Sequence, residues 1–225
     1  MNSIEALPLF PLSDVVLLPE GSVPLFIFEP RYRQMTRDAL GGARQIGMVT
    51  VHPDAVTAMA GDPAIFQVGC LGRIAHAQER PDGTFHILLV AEARFRILEE
   101  IPRSGDRLYR SARVALLEDT LPESPEQFAE LAQRRTALLT LLARYVRSLG
   151  EAVDDPDGAL TAFERVEPHH LVNAIAQSIP LRPVERQQIL ESDSLLDRYE
   201  IAADLLRFKL AESGAGETAS RSLPN

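Results

Sequence analysis

The sequence predicts an α+β protein in two parts: a β-rich region with one short helix over residues 1–118, then a purely helical region over 119–212. Two observations carry this. Up to Leu117, short apolar runs alternate with Pro, Gly and Asp turns, the punctuation of strands. Beyond Asp119, apolar residues recur at steps of three and four, the period of an amphipathic helix.

In the first region the runs Val15–Leu18, Pro24–Phe28, Ile46–Val51 and Ala64–Ile74 read as strands or their flanks. Phe85–Val90 and Phe95–Leu98 read as two buried strands, and Tyr109–Leu117 as the last, with Arg113 pointing outward. Pro81-Asp82-Gly83-Thr84 is a turn, because Asp-Gly tolerates the positive φ of a tight hairpin. A two-residue loop at Asp82-Gly83 would set Glu79 opposite His86 as a surface cross-strand pair. The one helix begins at Glu29-Pro30, since proline in a first turn forfeits no hydrogen bond, and it stops at Gly41-Gly42.

The second region opens on Ser124-Pro125-Glu126-Gln127, which combines a serine cap, proline at the first helical position and glutamine three residues after the cap. Phe128, Leu131, Leu138, Leu142, Tyr145 and Leu149 form one apolar stripe, closed by Gly150 as a natural helix-ending residue. The acidic stretch Val153–Gly158 lacks the alternating ligands of a calcium loop and reads as turn chemistry. Three further helices are expected over Pro168–Ile179, Pro183–Glu191 and Ser194–Glu212. The small, polar residues 213–225 are expected to be disordered.

Composition excludes several function classes. The net charge of −9 disfavours nucleic acid as a partner, because phosphate-backbone affinity rests on clustered cations. Cys70 is the only cysteine, so no intrachain disulfide forms, and a small buried hydrophobe is its expected role. The N-terminus has no basic, then apolar, leader. No apolar run approaches the ~20 residues of a membrane span. The expected compartment is the cytoplasm. Lys209 is the only lysine, between Phe208 and Leu210. That removes a phosphate-binding Gly-Lys-Ser/Thr loop and nearly excludes a serine–lysine dyad. No Gly-x-Ser-x-Gly, His-Glu-x-x-His or Cys-x-x-Cys motif is present. His169 and His170 diverge by about 100° on a helix and cannot readily share a metal. His52, His76 and His86 are scattered. No catalytic residue, metal ligand or cofactor site is assigned.

The string Leu7-Pro8-Leu9-Phe10-Pro11-Leu12, then Val15–Pro19 and Pro24-Leu25-Phe26-Ile27-Phe28-Glu29-Pro30-Arg31-Tyr32-Arg33, resembles the N-terminal substrate-binding domain of Lon proteases. Ile46–Val49, Val68-Gly69, Arg73-Ile74, Arg94–Ile97, Ile179-Pro180-Leu181 and Glu185–Glu191 extend the resemblance over about residues 5–212. Phe26 departs from it, standing where histidine is common, as does Ala91, where glycine often precedes the Arg-Phe strand.

The resemblance implies a PUA-like β pseudo-barrel followed by a C-terminal α-helical bundle, in a stand-alone protein lacking the ATPase and peptidase. It further implies a non-catalytic module that binds unfolded or tagged proteins or peptides, as an adaptor or regulator in protein quality control. An RNA-binding PUA-like protein and a small hydrolase with a non-standard site are the alternatives. Phe26, Glu29, Arg31 and Tyr32 are the motif positions that could contact a ligand, though structural roles are expected: Phe10, Phe26 and Phe28 in the core, Glu29 with Arg31 at the helix start. The binding surface itself would be an exposed apolar patch.

Overall fold

A computed structural model describes residues 3–59 and 61–221. Six strands and six α-helices follow in the order β1 (Ser3–Leu12), β2 (Ser22–Ile27), α1 (Pro30–Gly41), β3 (Gln45–Thr50), β4 (Val68–Glu79), β5 (Phe85–Ile101), β6 (Arg110–Leu117), α2 (Pro125–Ser148), α3 (Pro156–Glu164), α4 (Pro168–Ser178), α5 (Pro183–Glu191) and α6 (Leu195–Arg221). The chain forms two compact units, one running to Glu118 and including Pro180–Glu191, the other comprising Asp119–Ile179 and the chain from Ser192.

In the first unit the strands form one mixed sheet in the order β2-β5-β4-β3-β1-β6, with β5 also paired to β6. The length of β5 makes that possible. Its N-terminal half pairs with β2 (Ser22↔Val90 to Ile27↔Phe85), its C-terminal half with β6 (Arg94↔Leu117 to Ile101↔Ser111), and β4 runs along its other side. Hydrogen bonding therefore runs in a closed circuit β5-β4-β3-β1-β6, with β2 appended as an edge. Register shifts at Leu71/Gly72 and Ile74/His76 mark irregularities of the kind that bend a long strand pair.

Leu7, Leu9, Val49, Leu71, Phe95, Ile97, Ala112 and Val114 point into one apolar core. Burying each Leu, Val, Ile or Phe side chain among them contributes about 1.5–3 kcal/mol. Phe95 is wholly buried and needs glycine beside it: a Cβ on Gly47 would lie 2.9 Å from its ring, and one on Gly69 2.6 Å.

Two single-strand expectations merge, since Phe85–Val90 and Phe95–Leu98 belong to one strand. The turn before it also differs from the expectation. Gly83, at φ 76°, donates to Arg80 O at 2.8 Å, and Arg80 N donates to Thr84 O at 2.8 Å. The loop is therefore Pro81-Asp82-Gly83, a turn closed by a left-handed glycine. The extra residue shifts the register, so Glu79 faces Phe85 and His86 faces Gln78. Asp82 Oδ1 accepts from Thr84 N and Oγ1 at 3.0 and 2.7 Å.

The helix Pro183–Glu191 forms as expected, and the segment Pro180–Glu191 belongs to the unit of the sheet, where its polar residues are bonded. Gln187, 1% exposed, accepts from Thr50 Oγ1 at 2.7 Å and donates to Val68 O at 2.9 Å. Arg94, also buried, donates to Leu190 O at 3.0 Å.

In the second unit the capping box is formed as the spacing predicts: Gln127 N donates to Ser124 Oγ, and Ser124 N to Gln127 Oε1. The α2 stripe is rotated slightly from the expected one. Leu141 and Val146 join Leu131, Leu138, Leu142 and Tyr145 in burial, while Phe128 (56%) and Leu149 (36%) are exposed. Helix α6 packs against both α2 and α4, with Leu195, Tyr199 and Leu206 of α6 and Leu171, Val172 and Ile175 of α4 buried as well. Helix α3 is absent from the expectation. Asp155 caps it by accepting from Gly158 N at 2.9 Å, with Pro156 in the first turn, the same device that starts α2. The backbone of α6 continues to Arg221 through part of the tail expected to be disordered; residues 222–225 lie outside the described ones.

Candidate functional site

The strand β2 alternates strictly. Val23, Leu25 and Ile27 turn inward, while Ser22, Pro24 and Phe26 face outward. Phe26 is 49% exposed and Phe28 60%, which corrects the expectation that both lie in the core. Only Phe10 of the three is buried, at 4%, with its ring centroid 4.5 Å from that of Tyr32. The physical reason is the edge position. A run apolar at every residue gives no alternation to read, and the inner face is filled by Val23, Leu25 and Ile27.

The two exposed rings stack with centroids 5.9 Å apart, and Phe26 lies 4.9 Å from the ring of His86 directly across on β5. Pro24 faces Leu88, which in turn faces His76 of β4. Pro24, Phe26, His76, His86 and Leu88 thus line a shallow concavity of about 360 Å³ with no carboxylate in its wall. Arg80 stands at one end, its Nη1 3.2 Å from His86 Nε2. A larger groove of about 640 Å³ crosses β5 and β6 beside the exposed Leu98, but Arg96 and Glu118 flank it and no aromatic side chain lines it. A contiguous exposed apolar patch of this kind marks an interaction surface.

The remaining motif positions have other surroundings. Glu29 caps α1 without a side-chain bond to the helix backbone; its carboxylate accepts instead from the Arg31 side chain, Nε at 2.9 Å. The Arg31 guanidinium also donates to Met59 O at 2.6 Å and Gly61 O at 2.9 Å, tying the helix start to the loop after the 3₁₀ turn Pro53–Ala58. Tyr32 is buried against Phe10, with Arg31 4.5 Å over its ring. The structure brings Glu29, Arg31 and Tyr32 together and leaves Phe26 on the exposed face.

Among the described residues no group of His, Cys, Asp and Glu has metal-binding geometry, and no helix is long and apolar enough to cross a membrane. Cys70 is fully buried, and burial pushes its thiol well above the ordinary range, so little thiolate exists to react. Lys209 Nζ lies 3.2 Å from Glu212 on the same helix.

Burial dominates in raising three tyrosines, Tyr32, Tyr109 and Tyr199, from about 10 to about 12. For Tyr109 a hydrogen bond to Asp38 Oδ2 at 2.9 Å adds to it. A raised pKa means that the folded state keeps protons the unfolded chain has released, so stability falls as pH rises through that interval. With one lysine in the chain, tyrosine is the main group titrating there. Tyrosinate absorbance and far-UV circular dichroism, followed together from pH 9 upward, are expected to change in concert between about pH 10 and 12. Phenol ionisation complete well before any loss of helix would contradict the burial assignment.

The model of the ATP-dependent protease La (LON) substrate-binding domain matches residues 6–207, and the chain belongs to that family. It is 27% identical over 208 residues to Lon protease 2 of Desulfotalea psychrophila, covering 91% of this chain and 26% of that protein. It is 32% identical over 191 residues to Lon protease 2 of Syntrophobacter fumaroxidans, covering 83% and 22%. The chain thus spans about a quarter of the length of the curated relatives it matches. The crystal structure of a Lon N-terminal domain protein from Xanthomonas campestris superposes with a TM-score of 0.59 at 27% identity, covering 88% of this chain and 96% of that one. The N-terminal domain of the Mycobacterium avium complex Lon protease gives 0.65 at 18% identity, covering 90% and 98%, a likeness of fold.

Proposed function

We propose that this chain is a non-catalytic recognition module that binds unfolded or tagged polypeptide, as an adaptor or regulator of protein quality control in the cytoplasm. The closed pairing circuit acts as a PUA-like pseudo-barrel that presents β2, and α2, α3, α4 and α6 form a helical bundle. Glu29, Arg31 and Tyr32 hold the start of α1 and its neighbouring loop, while Phe26 makes contact with the client. The single observation that carries this reading is the stacked, half-exposed pair Phe26 and Phe28 in a domain whose family is defined by substrate binding. The only lysine sits beside Glu212, which supports the absence of a peptidase dyad.

Binding of a fluorescently labelled, permanently unfolded protein tests it. Covering half-exposed phenylalanines contributes on the order of 1–2 kcal/mol each. A Phe26→Ser/Phe28→Ser chain is therefore expected to bind at least tenfold more weakly, with an unchanged melting curve because neither ring fills the core. No binding by the unaltered chain, or equal binding by the double variant, would sink the reading.

A further inference from the structure

The backbone of β2 says how a captured segment lies on the patch. Ala91 N donates to Gly21 O at 2.8 Å while Gly21 N turns back to Leu18 O at 3.0 Å, so Gly21 and Ala91, one step beyond Ser22↔Val90, keep one bond of a hydrogen-bonded pair. Such pairs alternate with non-bonded ones. By the observed register, Val23, Leu25 and Ile27 then direct their backbone groups to β5, and Ser22, Pro24 and Phe26 direct theirs away from the sheet. Among the described residues no strand pairs with that outer side of β2, and no hydrogen bond from outside the ladder reaches those three residues. The free edge offers the N–H groups of Ser22 and Phe26 and the carbonyls of Ser22, Pro24 and Phe26. Only polypeptide main chain in extended form complements donors and acceptors at that spacing.

The same outward residues carry the exposed side chains. An added strand would therefore lay alternate side chains over Pro24, Phe26 and Phe28, because side chains in a strand repeat every second residue. Pro24 removes one donor at the centre of the edge. That position is where proline is compatible with an edge strand, and the gap blunts indiscriminate pairing.

Building on the proposed capture of unfolded chain, we infer that the client joins the sheet as a further strand beside β2. Its chemical class is an extended segment with apolar side chains at alternate positions, one that would itself become a strand on folding. Two contacts act together: main-chain hydrogen bonds at Ser22 and Phe26, and apolar contact with the Phe26–Phe28 pair. Segments whose apolar residues fall three and four apart supply the main-chain bonds in extended form but not the alternate apolar contacts.

The test uses the whole chain and a short labelled peptide with phenylalanine at alternate positions and serine between, each backbone nitrogen methylated in turn. Strand addition predicts a period of two: methylation at positions facing β2 weakens binding about fivefold or more, the equivalent of one lost net hydrogen bond, and methylation at the intervening positions does not. Equal sensitivity at all positions, or none, overturns strand addition while leaving capture by the patch intact. No binding of the unmethylated peptide overturns both. A Pro24→Ala chain gives an independent readout. It restores the missing donor and is expected to bind the unmethylated peptide several-fold more tightly; unchanged or weaker binding counts against the added strand, since a contact made by side chains alone gains nothing from an N–H.

Discussion

Replacing Arg198 with alanine is expected to lower the stability of the second unit by about 3 kcal/mol, near the lower end for breaking a buried charged pair. Arg198 is 1% exposed. Its Nε donates to Ser192 O at 2.9 Å and its Nη1 to Asp119 Oδ2 at 2.8 Å, while Nη2 closes a second bond to Oδ1 of the same carboxylate. The backbone beside it is laced in the same place, Thr120 N donating to Asp193 O and Leu195 N to Thr120 O. Alanine would remove these bonds from the Ser192 carbonyl and the Asp119 carboxylate and leave a cavity. Asp119 is 31% exposed, so water recovers part of the loss, which is why the lower end is expected. Lysine keeps the charge but cannot bond both carboxylate oxygens and Ser192 from one plane, and an intermediate loss is expected. Urea unfolding followed by helical circular dichroism measures both. A loss below about 1 kcal/mol for alanine would mean that the pair contributes little.

Gly69→Ala is expected to destabilise the first unit by about 2–3 kcal/mol, the cost of overpacking a core that cannot relax. An added Cβ would stand 2.5 Å from Met48 O, 2.6 Å from the Phe95 ring and 2.9 Å from Val49. The first of these is backbone in the adjacent strand β3, so relief requires separating two paired strands. Gly41→Ala is the matched control. A Cβ there meets nothing within 4 Å, and a neutral or slightly stabilising result is expected. Thermal unfolding of the two variants side by side decides the matter, and equal midpoints would contradict the close packing around Phe95.

The two units' elements were legible wherever the signal is local. Ser124-Pro125-Glu126-Gln127 specifies a helix start through its own side chains and backbone, and the structure forms both bonds. Asp155-Pro156-Asp157-Gly158 carries the same grammar, yet three acids and a glycine within Val153–Gly158 read more readily as a loop. The site was less legible. The patch was expected as a class of feature, but Phe26 and Phe28 were expected inside. In Pro24–Phe28 every residue is apolar, so hydrophobicity cannot say which face is inward. Pro24 held the usable signal, since proline inside a strand run marks an edge strand, and an edge strand beside a filled core leaves one face to solvent.

By itself the sequence determined the α+β class, the change from strands to helices near Asp119, the family, and the lack of any local motif for phosphate binding or nucleophilic catalysis. Each depends on residue types at short, fixed spacing. Tertiary structure alone decided three things: that β5 is long enough to serve both β2 and β6, that Pro183–Glu191 spends Gln187 on the sheet, and that β2 is an edge with Phe26 and Phe28 outside. Those outcomes depend on partners many residues away, such as Gln187 with Thr50 and Phe26 with His86. No local spacing records such pairings, because the free energy that selects them exists only once distant strands have closed around a common core.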